Sequence, residues 1–355
     1  MKTFQEQELT DIDESALLET CFDRSTTESK PRKGELRPFF KLYQEHVKQL
    51  DLEYGAGEKW MFAEKSHQQL FETIRELKAL GGSVTRTEAR DAISCKLQLL
   101  TTTPETMDSL LDVALRIWLF VNFRNPSHES IGHGRPCVVW HNTTSLQDTL
   151  KDVFQHSETE LTLTQRRLSP HFTAANMVNI CGLKLEWATT LDDHLRLDRE
   201  RKKLWVFPLR DWLHIKVEDC SAACNLQSNG SLLDPEIYEE ASKTLDLLFP
   251  CWDKKTQKLL KRHRKEEIAY SSRTRQLDLK HFKYFRDRLL ELNEDVFLAP
   301  PRGWRQLWND RRDPQKFWTF WIALFVLWLT IVATIATIVQ TWAALKGSGG
   351  KPLTG

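Results

Sequence analysis

The stretch FWTFWIALFVLWLTIVATIATIVQTWAAL, residues 317–345, carries no charged side chain. No other feature limits so strongly what the chain can fold into. At about 1.5 Å of rise per residue, 29 residues in a helix exceed the ~20 that cross a hydrocarbon core of ~30 Å. Trp318 and Trp321 stand near one end and Trp342 near the other, and the 21 steps from Trp321 to Trp342 make about 31 Å of helix. An aromatic belt at that separation predicts a transmembrane helix over residues 317–342, with a short tail at 343–355.

Flanking charge predicts its direction. Arg302, Arg305, Arg311, Arg312 and Lys316 precede the span, whereas Lys346 and Lys351 follow it. Cations collect on the cytosolic side, so the N-terminal bulk is expected there. Trp318, Trp321, Trp342, Arg311, Arg312 and Lys316 are the expected membrane-interface residues. Ten residues follow Leu345 in this sequence, as in a tail-anchored protein inserted after translation, with an endomembrane such as the ER as the destination. Thr330, Thr334, Thr337 and Thr341 recur at i, i+4, i+7 and i+11, a weakly polar stripe suited to close helix–helix contact. Alternatively, their hydroxyls bond the helix's own carbonyls.

Charge elsewhere is uneven behind the formal net of +1. Residues 253–316 hold 18 Lys and Arg against 10 Asp and Glu, and residues 1–252 carry a net of about −9. The start, MKTFQEQELTDIDESALLET, is acidic where a secretory signal needs a basic stretch and an apolar run, so no signal is expected. Seven scattered cysteines suit reduced cytosolic thiols. The sequons at Asn142 and Asn229 are accordingly expected to be unused.

The rest of the chain reads as mainly α with small β elements, an α+β chain. Residues 1–35 look like a disordered acidic and polar arm. A helical domain is expected over 36–160. In it, RPFFKLYQEHVKQLDLEY is an amphipathic helix or extended arm. Leu70, Phe71, Ile74, Leu77 and Leu80 mark a helix ending at Gly81 and Gly82. Thr85 and Glu88 form a capping box for the next helix. Pro104 opens a third helix through Leu119, and a loop then leads to a short strand, Cys137–Trp140. That order resembles a winged helix. The third helix holds only Arg116 beside Glu105, Asp108 and Asp112, so it repels phosphates and nucleic acid is an unfavoured partner.

Ser145 and Asp148 suggest a further capped helix. Over 161–250 an α+β region is expected, with a short helix from Phe172, a hairpin-like pair of strands at Leu183–Trp187 and Leu204–Phe207, a loop at 220–231 and a helix at 235–249. Over 251–300, DKKTQKLLKRHRKEE reads as a basic solvated helix. LDLKHFKYFRDRLLELNEDV reads as an amphipathic one through Leu279, Phe282, Phe285, Leu289 and Leu292. Either lies on the membrane or stays in solvent. Residues 301–316 form a cationic juxtamembrane segment.

Chemistry-bearing residues are sparse. His128, His133, Cys137 and His141 have zinc-ligand identities without a zinc-site spacing, and Cys220, Cys224 and Cys251 lack a matching second pair. Asp192, Asp193 and His194 offer an acid and a base, yet adjacent residues diverge, and the triplet reads as a turn. No phosphate loop or nucleophile elbow occurs. No cofactor is implied, and an enzyme is the alternative to an interaction protein, its residues being this His/Cys loop or this turn. A membrane-tethered winged-helix nucleic-acid binder is a further alternative.

Taken in order, SLQDTLKDVF, HFTAANMVNICGLKLEWATTLDDHLRLDRERKKLWVFP and the closing RGWRQLWNDRRDPQKFWTFWIALFVLWLTIVATIATIVQT resemble a group of uncharacterised filamentous-fungal proteins. The resemblance covers roughly residues 60 to 345. It implies a helical N-terminal half and a Trp-flanked C-terminal anchor. Because some members lie beside secondary-metabolite genes, it also implies an accessory role. It brings no catalytic residues.

Overall fold

Local signals set the helices, and long-range pairing sets the sheets. The computed structural model describes residues 11–22, 36–53, 67–97, 104–124, 137–162, 165–225, 232–269, 275–298 and 314–348. It is mainly α with small strands, and the chain divides into two units: residues 1–178 with 183–298, and 179–182 with 299–355.

In the first unit α1 (Asp11–Cys21) and α2 (Arg37–Glu53) precede α3 (His67–Leu80). Helix α3 stops at Gly81, whose φ of +77° is open to glycine at no steric cost. A Cβ added to the next residue, Gly82, would come within 2.8 Å of the Leu232 side chain. The turn therefore lies close against its neighbours. Helix α4 (Arg86–Lys96) starts with the expected capping box: Thr85 accepts from the Glu88 N–H, and the Glu88 carboxylate accepts from the Thr85 N–H at 2.9 Å. Helix α5 (Pro104–Leu119) is buried at every position from Met107 to Leu119.

The strands β1 (Phe123–Arg124) and β2 (Val138–Val139) pair in parallel. The helix order is thus that of a winged helix, but these strands do not form an antiparallel wing; strands running the same way need a crossover connection. Helix α6 (Leu146–Val153) is capped by Ser145, which accepts from the Asp148 N–H at 3.1 Å. After α7 (Ala174–Asn179) comes a three-stranded sheet of β3 (Lys184–Trp187), β4 (Leu197–Asp198) and β5 (Lys203–Val206). Its order is β3-β5-β4, with β5 parallel to β3 and antiparallel to β4. The expected hairpin of 183–187 with 204–207 is corrected by this register. The true hairpin partner of β5 is β4, inside the polar stretch that reads as a connection.

Helices α8 (Arg210–Asn225) and α9 (Pro235–Leu248) pack together. Residues 220–225, expected in a loop, are the last turns of α8. Helix α10 (Lys254–His263) follows, then α11 (Arg286–Glu291) running into a π-helical turn, Leu292–Phe297.

Two further expectations are corrected. Residues 11–22 are not part of an unstructured arm: Leu17, Cys21 and Phe22 are buried. The Lys216 ammonium on α8 donates to the Cys21 carbonyl at 2.5 Å and lies over the Phe22 ring. Four apolar residues at 17, 18, 21 and 22 make a helical seam, which outweighs the acidic composition around it. The remaining residues of that arm, 1–10 and 23–35, lie outside the described ones. Likewise, Leu279, Phe282, Phe285, Leu289 and Leu292 do not face a membrane. All five are buried in the core, and the Glu240 carboxylate accepts from the Tyr284 and Phe285 N–H groups at 2.9 and 3.2 Å.

An aromatic cluster fills the centre of this unit. Phe120 meets Trp212 edge-on at 4.9 Å between ring centroids, and Phe39, Phe207 and Tyr238 complete the group. The second unit contributes one long helix, α12 (Pro314–Ser348).

Candidate functional site

Among the described residues, two buried polar centres hold the candidate acid and base and a set of arginines, and one long apolar helix differs from both. The first centre is built on Arg86. Its Nε donates to Asp108 Oδ1 at 3.1 Å, its Nη1 to the Trp140 carbonyl at 3.2 Å, and its Nη2 lies 2.9 Å from Asp112 Oδ1. Arg90 adds a two-oxygen contact to Asp108 at 2.8 and 3.0 Å, and Arg116 donates to the Phe123 carbonyl. Burial drives the Asp112 carboxyl up to about 6 against the pull of Arg86 and Arg116. Asp108 and Asp112 are therefore engaged by arginines inside the fold, Glu105 is exposed in the first turn, and α5 is buried from Met107 to Leu119, with little surface to meet a nucleic acid.

The second centre is the Asp192–Asp193–His194 turn, fully enclosed rather than open to a substrate. Nδ1 of His194 accepts the Phe207 N–H at 3.1 Å, which places the proton on Nε2. Nε2 then donates to Thr244 Oγ1 at 2.5 Å, and that hydroxyl donates to the Ala241 carbonyl at 2.6 Å. Burial first, then Arg288, lowers the imidazole pKa to about 3. Asp192 accepts the Asn122 N–H at 3.0 Å, and burial with the neighbouring Asp193 raises it to about 6. Arg288 donates to the Asp192 and His194 carbonyls at 2.7 and 2.5 Å. Both ring nitrogens of His194 are committed and the ring is 0% exposed. A general base needs a free nitrogen within reach of a substrate; this one ties β5, α9 and α11 together. Leu195, the next residue, holds a φ of 62° and is also fully buried, so the turn is held in a strained conformation by its surroundings.

The candidate metal ligands do not converge where they are described. Cys137 is half-buried and His141 exposed, on either side of the fully buried Trp140, whose indole N–H donates to the Thr144 carbonyl at 2.9 Å. His128 and His133 lie outside the described residues. Among the described residues no group of three or more His, Cys, Asp or Glu is placed to hold a metal ion. Cys220 is buried on α8, and Cys251 is half-buried. Nothing local in the sequence pointed to Phe207, Thr244 or Arg288, which reach His194 from 13, 50 and 94 residues away.

Helix α12 is different in kind. From Trp318 to Lys346 it runs 29 residues, none of them fully buried and most of them exposed. Thirteen large apolar side chains between Ile322 and Leu345 stand in the open, from Val332 at 44% to Leu345 at 73%. At ~1.5 kcal/mol or more for each such side chain moved out of water, their transfer is worth roughly 20 kcal/mol. Such a surface favours an apolar phase over water. By length and composition α12 can cross a membrane.

The rim residues sit as follows. Trp318 and Trp342 are 65% and 64% exposed, and the Lys346 ammonium lies over the Trp342 ring at 5.0 Å. Trp321 is half-buried. Lys316 is within α12, with its side chain outside the described atoms, and Arg311 and Arg312 lie outside the described residues. Every hydroxyl of the threonine stripe already donates within the helix: Thr330 to Val326, Thr334 to Thr330, Thr337 to Ala333 and Thr341 to Thr337, at 2.5–2.9 Å. The stripe thus offers a shallow surface, with its donors spent.

No family model, curated protein or solved structure matches the chain.

Proposed function

We propose that the protein is a membrane protein anchored by a single pass of α12. Its first unit faces the cytosol and acts as an interaction or accessory module held at an endomembrane. The observation that carries this reading is the uncovered apolar surface of α12, continuous over 29 residues. Orientation rests on the cations at 302–316 against two beyond the span. The interaction role is favoured over catalysis because the Asp192–Asp193–His194 cluster is closed, with both ring nitrogens of His194 bonded inside the protein. The likeness to filamentous-fungal proteins supports an accessory role in secondary metabolism.

Removal of residues 317–355 tests the anchor. The truncated chain is expected to leave the membrane fraction, whereas the full chain resists carbonate extraction; a truncated chain that still resists extraction overturns the reading. A partner within the bilayer, a second copy included, would meet the Thr330, Thr334, Thr337 and Thr341 stripe by close packing. Cross-linking of a Thr334→Leu/Thr337→Leu double variant is then expected to fall, and unchanged cross-linking rules that contact out.

A further inference from the structure

Helix α10 carries a surface that the anchor does not explain. Its buried side is short: Thr256, Leu259 and Leu260. Its N-cap, Asp253, is consumed by accepting the Lys255 and Thr256 N–H groups. The remaining face presents Lys254, Lys255, Lys258, Lys261 and Arg262, continued by the C-cap residue Arg264, and all six are exposed. Among the described residues none of the six makes an ion pair. Some exposed lysines elsewhere in the unit do, as in Lys96 with Glu76, Lys151 with Asp148 and Lys283 with Glu236, whereas Lys184, Lys202 and Lys280 do not. Immediately before the cap, Trp252 is 56% exposed; of the large apolar side chains described in this unit, only Leu298 is also exposed.

An unpaired cationic ladder on one face and an indole at its edge are the chemistry of an anionic lipid surface. The ammonium and guanidinium groups meet phosphate and carboxylate headgroups, and tryptophan prefers the headgroup level. We propose that this face of α10, with Trp252, binds the anionic phospholipid surface of a bilayer. The proposal rests on the reading that α12 spans that bilayer with the first unit on the cytosolic side, where anionic lipids collect. Residues 299–313 lie between Leu298, the last described residue of the first unit, and α12; at no more than ~3.5 Å each they reach at most about 50 Å. Tethering at that range raises the effective concentration of the leaflet, so a contact too weak to recruit a free protein is sufficient. The amphipathic stretch 277–296 takes no such part, since its apolar side chains Leu279, Phe282, Phe285, Leu289 and Leu292 are spent on the core. The contact is peripheral and electrostatic, effective only within the ~8 Å screening length of physiological salt.

The test uses the full chain in nanodiscs of phosphatidylcholine alone or with phosphatidylserine added, with lysine acylation read residue by residue by mass spectrometry. Labelling of Lys254, Lys255, Lys258 and Lys261 is expected to slow at least ~3-fold in the anionic discs and to recover in high salt, with Lys203 and Lys243 unchanged. A Lys258→Glu/Lys261→Glu/Arg262→Glu variant is expected to lose the protection at Lys254 and Lys255. Equal labelling in the two kinds of disc overturns the proposal. So does equal protection in neutral discs on adding duplex DNA at physiological salt, which assigns the face to nucleic acid. Incorporation into neutral discs reports separately on α12. If the chain fails to incorporate, the spanning reading falls, and the same labelling with added phosphatidylserine vesicles still decides α10: slowed labelling supports the contact, and equal labelling removes it.

Discussion

His194 is held neutral by two bonds that need one proton between them, and this has a consequence for stability. Its pKa is about 3 in the fold against an ordinary 6.5, so the unfolded chain takes up a proton that the native one refuses. The native state therefore loses stability as pH falls from about 6.5 toward 3. Burial does the same to His46, also lowered to about 3. Asp112 and Asp192 act in the opposite sense. Raised to about 6 from 3.8, they favour the native state at low pH, and that advantage is lost as pH rises from 3.8 through 6. The two pairs oppose each other across much of the acid range, so the whole protein's pH profile conceals both. A His194→Gln substitution separates them: it destabilises at pH 7, and at pH 4 its cost is smaller by on the order of 3 kcal/mol, because only the wild type then carries the proton penalty. Denaturant unfolding of the full chain in detergent at the two pH values measures the difference. Equal costs at both would mean that His194 is not held neutral.

Elements with a local signature were legible in the sequence, and elements defined by distant partners were not. The Thr85–Glu88 box, the Gly81 stop, Pro104 and the Ser145 cap each place a helix end by bonds within a few residues. The parallel pairing of β3 with β5 has no such signature. Two alternating segments across a polar connection read as a hairpin until β4 takes the hairpin position. Helix α1 was hidden by composition, since four apolar residues supply its seam while acids surround them. Leu17→Ala distinguishes a docked helix from a loose arm. Leu17 is fully buried, so the substitution is expected to cost ~2–5 kcal/mol and to speed amide exchange in α1, whereas an arm would show no change. At the β4–β5 turn, Lys202 is exposed and holds a φ of 51°. Lys202→Gly removes that strain and is expected to stabilise by about 0.5–1 kcal/mol, seen as a higher melting temperature; a lower one would show that the turn tolerates its lysine without strain.

On the scale of the whole molecule, the long apolar helix α12 was the most legible part, because the length and lack of charge that a bilayer asks for lie in one contiguous stretch. The His194 centre was the least legible, since Phe207, Thr244 and Arg288 meet it only through the fold. Orientation is a property of the whole chain, and the fold supplies its own reporter. Asn142 begins the sequon Asn142-Thr143-Thr144 and is exposed at the turn before α6, where its side-chain oxygen accepts from Arg90 Nη2 at 3.3 Å and its backbone carbonyl from the Thr87 hydroxyl at 3.2 Å. Asn229, the other sequon, lies outside the described residues. If the first unit faces the cytosol, neither asparagine meets the lumenal glycosylation machinery, and endoglycosidase treatment of protein from a eukaryotic host leaves its gel mobility unchanged. A shift that disappears in Asn142→Gln would place the first unit in the lumen. It would also take the cationic face of α10 away from the anionic leaflet that the lipid contact requires.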